Sequence, residues 1–351
     1  MKTIDIAAIR LKNQQLIHPM FDHPLDVVKW MGAMQGQDFA MCRWAIALRM
    51  KKPGRKAVEE AFNRGDLLRT HLNRATWQVV AGEDIGWMLL LHGERCARAW
   101  NGYSAATGTL LTDRMMESSR ELLYNRLSGG HYCTREELMA LYRSIDITDA
   151  RAARHLLAVA EAEGLICSGP IKGNSITYAL LDERVPGRPH LLREEALAQL
   201  ATRYFQSHGP ATLADYVWWS GLTAKECRMG MEQMGENLTE VTVKGVTYYL
   251  HSHYTKGCTP QGLLSLLPPF DEILIGYKDR TAVLPAQYAH RAHNNSGIFY
   301  PVILYNRMIV GNWLRKDLSC DLFHEDCPTG EEIEKAQEKL RKYFARQGEK
   351  F

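Results

Sequence analysis

The chain has 351 residues, 46% hydrophobic and 24% charged, and a formal net charge of only +3 from 43 basic and 40 acidic side chains. This is the balance of an ordinary globular protein, too long for one simple core and about right for two or three small domains. It excludes a histone-like polycation, and no run approaches the roughly 18 apolar residues of a membrane span, so an anionic partner must be met by locally arranged charge.

Lys2, Asp5, Arg10 and Lys12 interrupt the N-terminal stretch, and no apolar core of signal-peptide length follows. The eight cysteines are scattered without a Cys-x-x-Cys pair, which predicts reduced thiols in a cytoplasmic protein and no structural zinc. In chain order, Thr3–Gln14 reads as a short helix, and Pro19 and Pro24 bracket a turn. Leu25, Val28, Trp30, Met31 and Met34 then recur at helical spacing. Asp38 is placed to cap a next helix over Phe39–Met50. Gln35-Gly36-Gln37 therefore falls at an expected helix–helix corner. Residues two apart on a straight helix point about 200° apart, so both amides reach one target only if the backbone bends, which Gly36 permits.

Arg49, Lys51, Lys52, Arg55 and Lys56 follow with no acid among them. A helix over Ala57–Arg64, a strand over Asp66–Leu72, a turn at Asn73-Arg74-Ala75 and a strand over Thr76–Val80 make the pattern of a winged helix. Trp87–Leu91 reads as a helix fragment. The pattern then recurs. Helices over Asp113–Leu127, Thr134–Tyr142 (Thr134 and Glu137 spaced as a capping box) and Asp149–Gly164 lead to a wing over Leu165–Leu180. Helices over Leu192–Ser207, Thr212–Trp219 and Thr223–Met234, again opened by Thr–acid pairs, lead to strands Thr239–Val243 and Val246–Leu250. Pro268–Glu272 reads as a rigid turn, Phe299–Leu304 and Met308–Leu314 as strands joined through Tyr305-Asn306-Arg307, and Gly330–Lys350 as a solvated surface helix.

The expected fold class is therefore α+β, mainly helical, with three tandem winged helices and a C-terminal β region. The expected domains are 1–112 (first winged helix, with the glutamine pair), 113–190, 191–258, a β-rich segment 259–328 with a hairpin, and the surface helix 329–351. Winged helices hold DNA through a helix or wing and through Lys and Arg contacts to phosphate. Lys51, Lys52, Arg55 and Lys56 are candidate phosphate contacts, equally readable as a solvated face. His71, Arg74 and Thr76 on the first wing either touch DNA or close the turn. Asp271, Glu272 and Asp279 suggest capping over a metal nuclease, because no histidine or lysine completes a nuclease spacing. His251 and His253, two apart on a strand, share a face, yet no Cys or carboxylate completes a metal set. No phosphate-cradling Gly loop, Ser-His-Asp set or dinucleotide fingerprint is present.

Gly32-Ala-Met-Gln35-Gly-Gln37-Asp38, Arg69-Thr-His-Leu-Asn-Arg74-Ala-Thr76-Trp77, Trp218-Trp-Ser-Gly-Leu222, Leu267-Pro-Pro-Phe-Asp271 and Gly276-Tyr-Lys-Asp-Arg280 together resemble the AlkZ-like family of winged-helix DNA glycosylases. The resemblance runs roughly from Ile9 to Leu314. It implies three winged helices in a C-shaped, DNA-embracing body, with double-stranded DNA as partner. It also implies removal of bulky alkylated purines and, in some members, unhooking of interstrand crosslinks. A catalytic Gln-x-Gln motif carries over to Gln35 and Gln37, and a cleft hairpin makes Asn306 and Arg307 candidate DNA contacts. The family's aliphatic residue between the glutamines is Gly36 here, and its frequent His on the first wing is Gln78. A glutamine amide does not titrate near neutrality, so it can orient water and present a dipole without a metal or cofactor. A non-catalytic DNA-binding regulator or damage sensor is the alternative expectation.

Overall fold

The computed structural model describes residues 4–253 and 262–345. Its secondary structure is α+β and mainly helical. The pattern of helices followed by a hairpin occurs three times along the chain. The first is Phe39–Leu48 and Arg55–Arg64 with strands Leu67–Leu72 and Thr76–Ala81. The second is Asp113–Leu127, Arg135–Arg143 and Ala150–Ala162 with Ile166–Lys172 and Ser175–Leu180. The third is Arg193–His208, Leu213–Ser220 and Ala224–Gln233 with Leu238–Val243 and Val246–His251.

Local chemistry sets where these helices start. Thr134, Thr212 and Thr223 each accept a backbone N–H three residues on, while Glu137, Asp215 and Glu226 return the bond to the threonine's own N–H. Two of the N–H groups that a helix start leaves unpaired are thereby satisfied. Asp38, Thr112 and Asp149 cap their helices in the simpler one-bond way.

The residues divide into two compact units, Met1–Val58 with Ala198–Phe351 (unit 1) and Glu59–Leu197 (unit 2). In unit 2, Leu123, Leu138, Tyr142, Leu156, Ile166 and Leu180 are nearly or fully buried together, each contributing about 1.5–3 kcal/mol. The Tyr142 hydroxyl meets Ser119 Oγ at 2.7 Å, so its burial leaves no lost bond. The helix Ile85–Ala106 lies alongside Ala150–Ala162. A Cβ at Gly93 would come 2.5 Å from the Ala162 carbonyl oxygen, so this close approach requires glycine.

In unit 1, strands Leu264–Leu267, Val302–Tyr305, Met308–Trp313 and Cys320–Leu322 form one antiparallel sheet in that spatial order. Trp44 from the helix Phe39–Leu48 and Trp313 from the sheet donate their indole N–H groups to the carbonyls of Leu266 and Leu267 at 2.9 and 2.7 Å.

Several expectations change. The helix expected to run to Met34 is Pro24–Met31 and stops at Gly32, whose φ of +80° suits glycine. Gln35 consequently lies on a short extended segment, Met34–Gln35, and not at a direct helix–helix corner. The fragment at Trp87–Leu91 is part of a 22-residue helix, Ile85–Ala106. Strands Leu264–Leu267 and Cys320–Leu322 are additional. The last helix is Gly330–Phe344; its expected continuation to Lys350, and the expected boundary at 258/259, lie outside the described residues. Seven cysteines among the described residues are free thiols, while Cys258 is not among those residues. Burial pushes the Cys96 thiol up to about 11 and the Cys167 thiol up to about 12, which marks both as inert packing groups.

Candidate active site

Gln35 is 7% exposed, and its backbone N–H donates to Glu272 Oε1 at 2.6 Å. Its own side-chain oxygen accepts the N–H groups of Gly36 at 2.8 Å and Gln37 at 3.1 Å. The amide thus folds back over its loop and fixes the backbone that carries Gln37. The Gln37 side chain is exposed. The two glutamines therefore have different environments: one shapes the loop from inside, the other faces solvent. The carboxylate next in sequence, Asp38, caps the following helix through Met41 N–H at 3.1 Å and faces Arg315 at 3.6 Å.

Glu272 lies 2% exposed at the start of the short helix Glu272–Ile275. Its second oxygen accepts from Trp219 Nε1 at 3.2 Å and lies 3.4 Å from His208 Nε2. Burial holds the His208 pKa below its ordinary value, with the Glu272 hydrogen bond opposing, and the ring stacks on Tyr204 at 4.8 Å. Beneath it, Arg49 forks onto Asp271 with bonds of 2.8 and 3.0 Å, both side chains fully buried. The same guanidinium donates to Gln14 Oε1 at 3.1 Å, and Gln14 donates to the Tyr277 hydroxyl at 3.0 Å. Such a bidentate buried pair holds its geometry tightly. The stretches around Gln35, Trp219, Asp271 and Tyr277, distant in sequence, are thus one hydrogen-bonded body within unit 1.

Two expectations are refined here. Asp271 does cap its helix, accepting from Ile273 N–H at 3.0 Å, but it is also the partner of Arg49. Glu272, read as a capping residue, is the anchor of the Gln35 loop. The only advance signal was its place directly after the Leu-Pro-Pro-Phe-Asp stretch. No group of three or more metal-ligating side chains occurs among the described residues.

The expected DNA contacts fall into distinct settings. Lys51 and Lys52 are exposed, with Lys51 Nζ 2.7 Å from Asp22, so the basic run has an acid beside it that its local sequence lacks. Arg55 donates to the Phe344 carbonyl at 3.3 Å and Lys56 is exposed. Asn306, at the hairpin turn with φ +54°, accepts from Gly262 N–H at 2.9 Å, and Arg307 pairs with Asp5 at 2.6 Å.

In unit 2, the first wing turns through Asn73, Arg74 and Ala75 with φ of +22°, +58° and +58°, a run of non-glycine residues in the left-handed region. Thr76 Oγ1 donates to the Asn73 carbonyl and accepts from Gln78 Nε2, each at 2.9 Å, so Thr76 closes the turn. Arg74 projects exposed from it. His71 is only 4% exposed and meets Glu161 Oε2 at 2.7 Å.

Known proteins fit this arrangement. A family model described as DNA glycosylase AlkZ-like matches residues 28–321. The chain is 26% identical over 304 residues to an interstrand DNA cross-link repair glycosylase of Streptomyces sahachiroi, covering 82% of this chain and 81% of the relative. The solved structure of the Streptomyces sahachiroi DNA glycosylase AlkZ superposes with a TM-score of 0.79 at 24% identity, covering 98% of this chain and 97% of that one, so the fold is shared. No helix among the described residues is long and apolar enough to cross a membrane. With the match spanning most of its length, the chain belongs to the AlkZ-like family of DNA glycosylases, enzymes that cleave the N-glycosidic bond of DNA.

Proposed function

We propose that this glycosylase releases cationic alkylated purines, N7 and N3 adducts, from duplex DNA, and that Gln35 and Gln37 carry the reaction. The relative named as a cross-link repair glycosylase supports extending the substrate range to interstrand crosslinks. The observation that carries the reading is the pairing of a buried, loop-fixing Gln35 with an exposed Gln37. Gln37 orients the attacking water and turns its carbonyl dipole toward the cationic sugar of the transition state. Gln35 holds that amide in place. A purine alkylated at N7 or N3 already bears positive charge and leaves as a neutral base, so no acid need protonate it. Water adds to C1′ as the glycosidic bond breaks, and its proton passes to solvent. The engagement of Asp38 by a helix cap and Arg315 agrees with a reaction that calls on no strong general base. The enzyme acts as a monomer, on nucleoid DNA in the cytoplasm, without a cofactor.

The test is release of 7-methylguanine from methylated duplex DNA by wild type, Gln35→Ala and Gln37→Ala. We expect each substitution to slow release by about 10²-fold or more, the scale of removing one preorganised dipole. Equal rates in all three proteins would remove the glutamines from the reaction. No release by a wild type that binds the duplex would end the substrate assignment.

A further inference from the structure

The carboxylate that anchors the Gln35 loop is itself backed by a ring that never reaches the surface. His208 closes the helix Arg193–His208 and is fully buried within unit 1. Tyr204 stacks on the ring at 4.8 Å, and Trp219 lies against it at 5.3 Å. The His208 carbonyl accepts from the Tyr277 hydroxyl at 2.8 Å, and the Tyr204 hydroxyl donates to the Gly276 carbonyl at 3.0 Å. A Cβ at Gly276 would come 2.7 Å from His208 Cδ2 and 3.0 Å from Nε2, so the end of the helix Glu272–Ile275 packs directly on the ring edge. This packing leaves the imidazole little room to turn.

The two ring nitrogens face different groups. Nδ1 lies 2.8 Å from Ser207 Oγ, and Nε2 lies 3.4 Å from Glu272 Oε2. Burial lowers the His208 pKa, with Arg49 and Arg10 adding to it against the pull of Glu272, so the ring is neutral and carries one proton. The Ser207 hydroxyl has one hydrogen and two acceptors in reach, His208 Nδ1 and the Arg203 carbonyl at 2.6 Å. If that hydrogen goes to Arg203, Nδ1 must carry the ring proton, and the bare lone pair of Nε2 then faces the Glu272 carboxylate. If it goes to Nδ1, the ring proton sits on Nε2 and points at Glu272. Only the second arrangement gives both nitrogens a bond, and in a buried site that completeness decides the tautomer.

We propose that His208 is a positioning residue for base release: with Ser207 fixing its proton on Nε2, it holds Glu272 in the conformer whose other oxygen takes the Gln35 N–H. The chain runs from Ser207 through His208 and Glu272 to Gln35, and its last bond, 2.6 Å long, lands on the loop that carries Gln37. Trp219, from the helix Leu213–Ser220, gives Glu272 Oε2 one donor at 3.2 Å. On that bond alone the carboxylate can pivot. A second donor from a different helix fixes its tilt as well as its place, which is how a supporting shell holds a reacting group to geometry. Buried as it is, His208 acts on the reaction only through the glutamine loop, so the proposal rests on Gln35 and Gln37 carrying base release.

The test compares two substitutions in the full chain, each imitating one ring nitrogen. The amide nitrogen of His208→Gln reaches the place of Nε2 and keeps a donor on Glu272; the shorter amide of His208→Asn reaches only the place of Nδ1. Single-turnover release of 7-methylguanine and hydrogen exchange at the Gln35 amide are followed. His208→Asn is expected to slow release and to speed that exchange by about tenfold each, the scale of one lost hydrogen bond. Duplex affinity and exchange in the helix Ala150–Ala162 of unit 2 are expected to stay at wild-type values. His208→Gln is expected to remain within about threefold of wild type on both readouts. Ser207→Ala leaves the ring in place but removes the hydroxyl that keeps the proton off Nδ1. It is expected to move both readouts about threefold in the direction of His208→Asn, and it decides the proposal if His208→Asn does not fold. Wild-type behaviour of His208→Asn and Ser207→Ala overturns the proposal. Equal losses in His208→Asn and His208→Gln overturn it too, since the ring would then serve packing alone. Gln37→Ala is run beside them. If it is slow while His208→Asn releases base like wild type, the positioning role fails by itself. If it matches wild type, or wild type releases no base, the glutamine or alkylpurine reading fails, and exchange at Gln35 still decides whether His208 holds the loop.

Discussion

Two buried glutamates invite comparison. Glu272 in unit 1 has both oxygens engaged, one by Gln35 N–H and the other by Trp219, with His208 beside it. Glu161 in unit 2 has one oxygen on His71 and the other without a partner. Their exposures, 2% and 1%, are nearly the same, so solvent access does not separate them. Bond completeness does. Two engaged oxygens on Glu272 are what a rigid loop support needs. Glu161 instead leaves one buried oxygen unbonded.

The largest expected effect breaks the Glu272 side at its base. Arg49→Ala leaves Asp271 buried without its partner and is expected to cost about 3–5 kcal/mol, read as a lowered urea midpoint. Next, Glu272→Gln keeps the shape but replaces a charged acceptor, and is expected to cost about 1.5–3 kcal/mol, with slower base release because the Gln35 loop loses its anchor. Glu161→Gln is expected to cost less than Glu272→Gln in the same unfolding assay, because fewer bonds depend on it. Equal costs would erase the distinction between the two sites.

Proton linkage sharpens the comparison, because the two sites respond with opposite sign. Burial lowers the His208 pKa, so its contribution to stability is complete above pH 6.5 and declines as pH falls below that value, where the unfolded chain binds a proton the native ring refuses. Burial raises the Glu161 pKa despite the opposing pull of His71. Its contribution is complete below pH 4.5 and is lost as pH rises through the elevated native value. Hydrogen exchange between pH 7 and 5 should show unit 1 loosening on acidification, and His208→Gln should remove that loss. The smallest effect belongs to Gln37→Ala. Its exposed side chain predicts a stability change within about 0.5 kcal/mol, so any loss of base release there is chemical in origin.

Much of the fold was legible because its signals are local. Thr134 with Glu137 and Thr223 with Glu226 announce helix starts within four residues, and the Lys244-Gly245 turn announces a hairpin. The helix Ile85–Ala106 was legible only in its apolar first turns; beyond them Glu94, Arg95 and Arg98 and a half-exposed face hide its continuation. The glutamine pair itself was visible, but its support was not. The bond from Gln35 to Glu272 spans 237 residues, and no periodicity reports a contact of that range. His71 read as a wing-surface residue because the Glu161 that draws it inward lies 90 residues away.

Unit 1 is written in two pieces, with residues 59–197 between them. During synthesis the Gln35 loop leaves the ribosome long before Glu272, the gap of 237 residues amounting to roughly 10–50 s at about 5–20 residues per second. All of unit 2 emerges in that interval, while the Gln35 loop still lacks Glu272. A nascent chain stalled before residue 272 would therefore carry the glutamine pair without its anchor. Competence at this site is reached only after residue 272 has cleared the exit tunnel, whereas the cavity lined by His71 and Glu161 in unit 2 is complete once residue 197 has done so.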